Sequence, residues 1–278
     1  DFTYSGAVPA GDALARSLNI PAVRMLQSMT EERFLNLLQR LGLTTFSKPA
    51  SHYGLSLILG GGESSLWELA GAYSSMARVL NNVNSGKVYN AGDWHMPYIT
   101  EHETAPVKAD PSPPLTAPAI WLTYEALRRV NRPETETGWQ YFGSAPDIAW
   151  KTGTSFGFRD AWAIGTSPDY VVAVWAGNAD GEGRPGLSGI SSAAPLMFDI
   201  FRLLPAASYR RFTRPEEGMT LTEVCSASGY RAGPYCTEKR EEWVPEAGLR
   251  SEACPYHTLI NVDQSGKYRV NISCSEPG

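Results

Sequence analysis

The run Lys151-Thr152-Gly153-Thr154-Ser155 sets an amine, three hydroxyls and a glycine in a row at the end of an apolar segment that reads as a strand, Ile148 to Thr154. On a strand this order has a specific use. The amine and hydroxyls can hold a carboxylate, and the glycine leaves the edge clear for a peptide to lie alongside and hydrogen-bond the backbone. A strand running into a polar turn is the plainer alternative. Ser17-Leu18-Asn19 stands just ahead of a helix that Pro21 suits as a first-turn residue. Capping is the plainer use of Ser and Asn there. The chemical use is a hydroxyl that relays a proton to a leaving amine, beside a carboxamide that holds a substrate amide, and it requires Lys151 nearby. Ser17, Asn19 and Lys151 are therefore the catalytic candidates, and Thr152, Gly153, Thr154 and Ser155 the substrate-binding ones.

Positioning these residues takes a folded domain. The chain has 278 residues, 42% of them hydrophobic, and a formal charge of −5, so it can bury a core. It carries no dense Lys/Arg block of the kind that nucleic acid or an anionic membrane surface would attract. Gly11 to Leu41 predicts two or three short helices, with Leu14, Leu18, Val23 and Leu26 and then Phe34, Leu37, Leu38 and Leu41 at helical spacing. A longer helix is predicted from about Ser65 to Leu80, with Ser64 or Ser65 as its cap. Lys87 to Ile99 reads as short extended segments, and Ala105 to Pro118, with five prolines counting Pro118 itself, predicts a surface connection leading to a helix that Pro118 opens. The period then changes. Ile148 to Thr154, Ala161 to Gly165 and Tyr170 to Ala176 predict three successive antiparallel strands, and a helix from about Ala194 to Leu203 would pack on their face. The expected fold class is α+β, an antiparallel sheet with helices packed against it. Residues 1–205 are expected to form one domain and 206–278 a small cysteine-containing region.

Other motifs compete. Gly153-Thr154-Ser155-Phe156-Gly157 satisfies the Gly-x-Ser-x-Gly nucleophile elbow, but that elbow joins a strand to a helix, and Phe158 to Ile164 reads as a turn and a strand. Gly60-Gly61-Gly62-Glu63 lacks the Gly-Lys-Ser/Thr of a phosphate-binding loop and reads as a tight helix entry. Among His52, His95, His102 and His257 there is no His-Glu-x-x-His, so no metal site or cofactor is expected, although Cys254-Pro-Tyr-His257 leaves a remote metal reading. Cys225, Cys236, Cys254 and Cys274 are spaced unlike a zinc ribbon and predict two disulfides, of which Cys225–Cys236 with Cys254–Cys274 is the preferred one of three pairings. Oxidised cysteines would place the chain outside the cytoplasm, in the periplasm.

Ser-x-x-Lys, Ser-x-Asn and Lys-Thr-Gly, in that chain order, form the penicilloyl-serine signature, and the last two are present. Together with ALARSLNIPAVRML (Ala13 to Leu26), HYGLSLILGGGESSLWELAGAYSSMA (His52 to Ala77), KTGTSFGFRDAWAIGTSPDYVVAVWAGN (Lys151 to Asn178) and PGLSGISSAAPLMFDIF (Pro185 to Phe201), they make the chain resemble the transpeptidase domain of class A penicillin-binding proteins. It is most similar to the penicillin-binding protein 1C subgroup, over roughly Asp1 to Leu204 and into the cysteine-containing tail. The resemblance implies a D,D-transpeptidase that cross-links peptidoglycan stem peptides and is acylated by β-lactams. Ser17 would shuttle the proton, Asn19 would hold the substrate amide and Lys151 would keep Ser17 polarised. Thr152 and Thr154 would bind the terminal carboxylate, and the Thr154 N–H would form half of the oxyanion hole.

One motif is absent. None of the six lysines is preceded by serine at Ser-x-x-Lys spacing, and Thr45-Phe46-Ser47-Lys48 is a loop imitation on the wrong side of Ser17. The nucleophile is expected upstream of Asp1, with a glycosyltransferase and an inner-membrane anchor in the longer protein; the apolar runs here fall far short of the roughly 20 residues of a spanning helix. The fragment alone is expected to be inactive. A non-catalytic cell-wall binding or scaffolding module, recruiting other cell-wall proteins through its tail, is the alternative from another class, and a soluble β-lactamase a third.

Overall fold

The computed structural model describes residues 6–87, 89–100, 112–131, 147–205 and 211–271, which fall into two compact units, Ala10–Glu217 and a smaller one made of Asp1–Pro9 with Gly218–Gly278.

The larger unit opens with three short helices, α1 (Ala10–Ala15), α2 (Asn19–Met29) and α3 (Glu31–Arg40), then the single turn α4 (Ala50–Tyr53) and a 3₁₀ stretch, Gly54–Leu59. Leu26, Leu35, Leu43, Phe46, Ala50 and Leu57 close a core between them. The long helix α5 (Leu66–Asn84) starts at Ser65, whose hydroxyl accepts from the Glu68 N–H while the Glu68 carboxylate accepts from the Ser65 N–H. This is a capping box, legible as Ser-x-x-Glu. Glu68 also accepts from the Thr44 N–H and the Thr44 and Thr45 hydroxyls, tying the helix entry to the preceding loop. Helix α6 (Ala117–Arg128) is capped by Thr116 and has Pro118 in its first turn, where the missing N–H costs nothing.

The sheet consists of β1 (Ala149–Thr154), β2 (Asp160–Thr166) and β3 (Val171–Gly177), antiparallel and in sequence order. Side chains alternate across it. Ile148, Trp150, Ala161, Ala163, Val172 and Val174 pack against Met197, Phe198 and Phe201 of α7 (Ala194–Leu203). Ala149, on the opposite face, joins Met76, Leu80, Ile120 and Tyr124 of α5 and α6. Arg128 of α6 holds the Asp147 carboxylate with two hydrogen bonds of 2.6 and 2.7 Å just ahead of β1. Helix-period, strand-period and cap signals thus produced the expected α+β arrangement. Between Lys87 and Ile99 the described residues include extended backbone at Asn90 and Trp94 on either side of a 3₁₀ turn, Ala91–Asp93, capped by Asn90, and none of them belongs to a strand. Of the proline-rich stretch, residues 105–111 lie outside those described, and 112–116 belong to no helix or strand, as a connection should.

The smaller unit has a hairpin, β4 (Met219–Cys225) with β5 (Lys239–Pro245). The expected Cys225–Cys236 disulfide is not formed: Cys225, Cys236 and Cys254 are all free and buried. The reason is spatial. The chain folds all three thiols onto one point together with His257, and linear spacing between successive cysteines carries no sign of a third and fourth partner. Cys274 lies outside the described residues, so the Cys254–Cys274 pairing does too.

Candidate active site

Ser17 sits in an unusual backbone. Its N–H donates to the Leu14 carbonyl and the Leu18 N–H to the Ala13 carbonyl, at 3.1 and 2.9 Å. These two bonds end α1 in a Schellman motif whose left-handed position is normally glycine. Here it is Ser17, at φ 55°. Asn19 then begins α2, whose cap residue is Leu18 and has no side-chain cap bond. Neither the Ser17 nor the Asn19 side chain caps α2, and both residues are exposed.

Among the described residues β1 is an edge strand of its sheet. The Ser155 N–H donates to the Asp160 carbonyl, so with the register Gly153↔Trp162 and Lys151↔Ile164 the odd-numbered residues exchange backbone bonds with β2. The N–H and C=O groups of Thr152 and Thr154 therefore point out of the sheet edge. Lys151 and Gly153 share one face of β1, Thr152 and Thr154 the other. The Lys151 amine donates to the Thr152 carbonyl at 2.8 Å, and burial holds its pKa below the ordinary lysine value. The Thr154 hydroxyl accepts from the N–H of Gly189 at 2.9 Å. Gly189 opens a π-helical turn, Gly189–Ala193, leading into α7.

These segments meet. A cleft of about 510 Å³ is lined by Ser17, Leu18 and Asn19 on one side and by Lys151, Thr152, Gly153 and Thr154 on the other, with Leu14, Met25, Ile58 and Leu59 as its apolar wall. Lys151 is the only charged residue lining it among those described. Ser155 is not in the cleft: its hydroxyl accepts from the Asp160 N–H at 2.8 Å and closes the β1–β2 turn. That turn leads into β2 and not into a helix, so the nucleophile-elbow reading ends there. A smaller cleft of about 390 Å³, bounded by Gln39, Arg40, Tyr89 and Trp94, holds none of the residues selected from sequence.

The chain is 32% identical to penicillin-binding protein 1C of Escherichia coli (strain K12) over 211 residues, 75% of this chain and 24% of that protein. The chain belongs to the class A penicillin-binding protein family. It is also 30% identical over 257 residues to penicillin-binding protein 1A of Neisseria lactamica, 90% of this chain and 29% of that protein. The chain thus spans about a quarter of the length of the curated relatives it matches. The crystal structure of penicillin-binding protein 1A from Haemophilus influenzae covers 91% of this chain, with a TM-score of 0.64, 18% identity and 42% of that chain aligned; it shares the fold. No family model matches the chain.

Sequence reasoning missed two parts of this penicillin-binding protein segment. The Gly189 contact to Thr154 is a tertiary encounter that no local pattern announces. The residues able to hold a metal, Cys225, Cys236, Cys254 and His257, had one local signal, Cys254-x-x-His257, which was set aside in favour of disulfides.

Proposed function

We propose that this cleft is part of the acyl-transfer site of a D,D-transpeptidase. The observation that carries the reading is the convergence of Ser17 and Asn19 with Lys151 to Thr154 on one cleft beside β1, an edge strand among the described residues. The donor stem peptide lies along β1 and bonds to the outward N–H and C=O groups of Thr152 and Thr154. Its terminal carboxylate meets the one cation of the cleft and the threonine hydroxyls. Because Thr154 Oγ1 accepts from Gly189, its own proton is free to be donated to that carboxylate. Asn19 holds the peptide amide, and the Thr154 N–H supplies one oxyanion donor.

The nucleophile is a serine supplied from outside these 278 residues, since no Ser-x-x-Lys occurs in them. Its oxygen attacks the carbonyl of the penultimate D-Ala. The C–N bond breaks, and the departing D-Ala takes a proton delivered through Ser17, whose hydroxyl Lys151 polarises. An acceptor amine then attacks the ester and frees the serine. β-Lactams enter as donor mimics, and the reaction belongs in the periplasm, where peptidoglycan is built. Among the described residues no helix is long and apolar enough to cross a membrane.

The test uses the longer protein that bears this segment. It should be acylated by a fluorescent penicillin, and Lys151→Ala should reduce the acylation rate by orders of magnitude. Undiminished labelling would overturn the reading. A gene product with no Ser-x-x-Lys ahead of this segment would favour a non-catalytic cell-wall module.

A further inference from the structure

Few apolar side chains of the smaller unit are buried among the described residues, Met219 and Val224 of β4 being two of them. Among its described residues the buried apolar cluster consists of Cys225, Cys236 and Cys254, with Ala232 packed against it. A unit of this size is not held together by so little burial, and small domains of this kind use disulfides or a structural metal. Among the described residues no disulfide serves here. The three thiols are free, and a set of three converging sulfurs cannot all be consumed in pairs among themselves.

A fourth ligand completes the set. Each of Cys225, Cys236, Cys254 and His257 places one ligating atom within 4.8 Å of the others. The His257 Nδ1 lies 3.4 Å from both the Cys225 and the Cys254 sulfurs. Tetrahedral zinc, with Zn–S of about 2.3 Å and Zn–N of about 2.0 Å, requires S···S separations of about 3.8 Å and S···N separations of about 3.5 Å. The two S···N separations of 3.4 Å match that geometry, and all four ligating atoms lie within 4.8 Å of one another, which suits a single ion. Thiolates and imidazole also select zinc over magnesium or calcium, which take oxygen.

The surroundings match a ligand shell. The Gly233 N–H donates to the Cys236 sulfur at 3.3 Å, and the Ser228 hydroxyl lies 3.1 Å from the Cys254 sulfur; donors of this kind orient thiolate ligands. The ligands come from three separate segments. Cys225 ends β4 and its N–H bonds the Tyr230 carbonyl, while Cys254 donates its N–H to the carbonyl of Arg231. Arg231 bridges to Val224 and Ala253, linking those two segments.

We propose that Cys225, Cys236, Cys254 and His257 bind one structural zinc ion through three thiolates and the Nδ1 imidazole nitrogen. All four positions are filled by protein, so the ion staples the unit and performs no hydrolysis. The proposal is independent of the acyl-transfer reading.

The 278-residue chain, purified under reducing conditions without chelator, should carry one equivalent of zinc by plasma mass spectrometry. Co²⁺ exchanged into it should give the visible bands of tetrahedral, thiolate-ligated cobalt. Cys236→Ser and His257→Ala should lose stoichiometric zinc, and Cys274→Ser should keep it. Loss of a ligand also unfolds a zinc-stapled unit, so a second measurement uses the unaltered chain. Chelation should raise backbone hydrogen exchange across 218–271 and added Zn²⁺ should restore protection, with Mg²⁺ having no effect. Failure of the reduced chain to take up Zn²⁺, octahedral cobalt spectra without thiolate charge transfer, or a Cys225–Cys236 disulfide in peptides mapped before reduction would each overturn the proposal.

Discussion

The N–H of Gly189 donates to the Thr154 hydroxyl over 2.9 Å, so the turn that launches α7 orients the last hydroxyl of the Lys-Thr-Gly-Thr strand. The contact depends on closeness. A Cβ built on Gly189 would sit 2.6 Å from the Gly153 carbonyl oxygen and 2.5 Å from that of Trp162, both backbone atoms of the β1–β2 ladder.

Gly189→Ala should therefore act on both stability and the cleft. Backbone cannot swing aside as a flexible side chain can, so an overpacking cost of about 1–3 kcal/mol is expected. Thermal unfolding of the chain measures the first effect. Penicillin acylation in the longer protein, expected to fall at least tenfold, measures the second. A stability equal to the parent's would show that the turn can retreat freely.

Ser17 at φ 55° leads to opposite outcomes for stability and chemistry. Glycine relieves the left-handed backbone penalty of about 1–2 kcal/mol, partly offset by glycine's greater unfolded-state entropy. Ser17→Gly should leave the chain as stable as the parent or up to about 1 kcal/mol more stable, with acylation by the longer protein strongly reduced. Ser17→Ala should show the same loss of acylation without the gain in stability. A full acylation rate in either variant would remove Ser17 from the proton path.

Glu68 is a pH-dependent fastener. Burial pushes its pKa up, but hydrogen bonds from the Thr44 hydroxyl, the Ser65 and Thr44 N–H groups and the Thr45 hydroxyl outweigh that effect and bring it down to about 2. A carboxyl depressed in the folded state adds stability above its unfolded pKa, near 4.5, and that contribution drains away as pH falls toward 2. Urea titrations should show a drop of about 2–3 kcal/mol over this window. In Glu68→Gln the part due to this residue should vanish and the stability at pH 7 should already be lower. An unchanged acid limb would contradict the assignment.

Asp147 receives the double hydrogen bond from Arg128 and is nearly buried. Asp147→Asn removes the charge that Arg128 and Arg211 share and leaves Arg128 with Glu125 as its remaining carboxylate partner, at an expected cost of about 1–3 kcal/mol. Chemical denaturation checks this. Salt should barely change the loss, because a buried pair is weakly screened.

The helices and strands were legible because each carries its own period and its own punctuation. Ser65-x-x-Glu68 caps α5 where expected, Pro118 opens α6, and the turns after Thr154 and Thr166 separate three antiparallel strands. Whether the extended residues between Lys87 and Ile99 would join a sheet was not legible, because strand pairing is a property of two segments. The same limit explains the cysteines. Successive spacing suggests pairs, whereas Cys225, Cys236, Cys254 and His257 meet as a set.

The sequence by itself determined the chemical inventory, the α+β order of elements and the membership in the penicillin-binding family, because these depend on residue identity and local periodicity. Tertiary structure alone decided that Ser17 and Asn19 share a cleft with Lys151 and Thr154, that Ser155 is spent on its own turn, and that three thiols gather around one imidazole. Such encounters depend on how distant segments pack, and packing is fixed by burial across the whole core, which no window of the sequence contains.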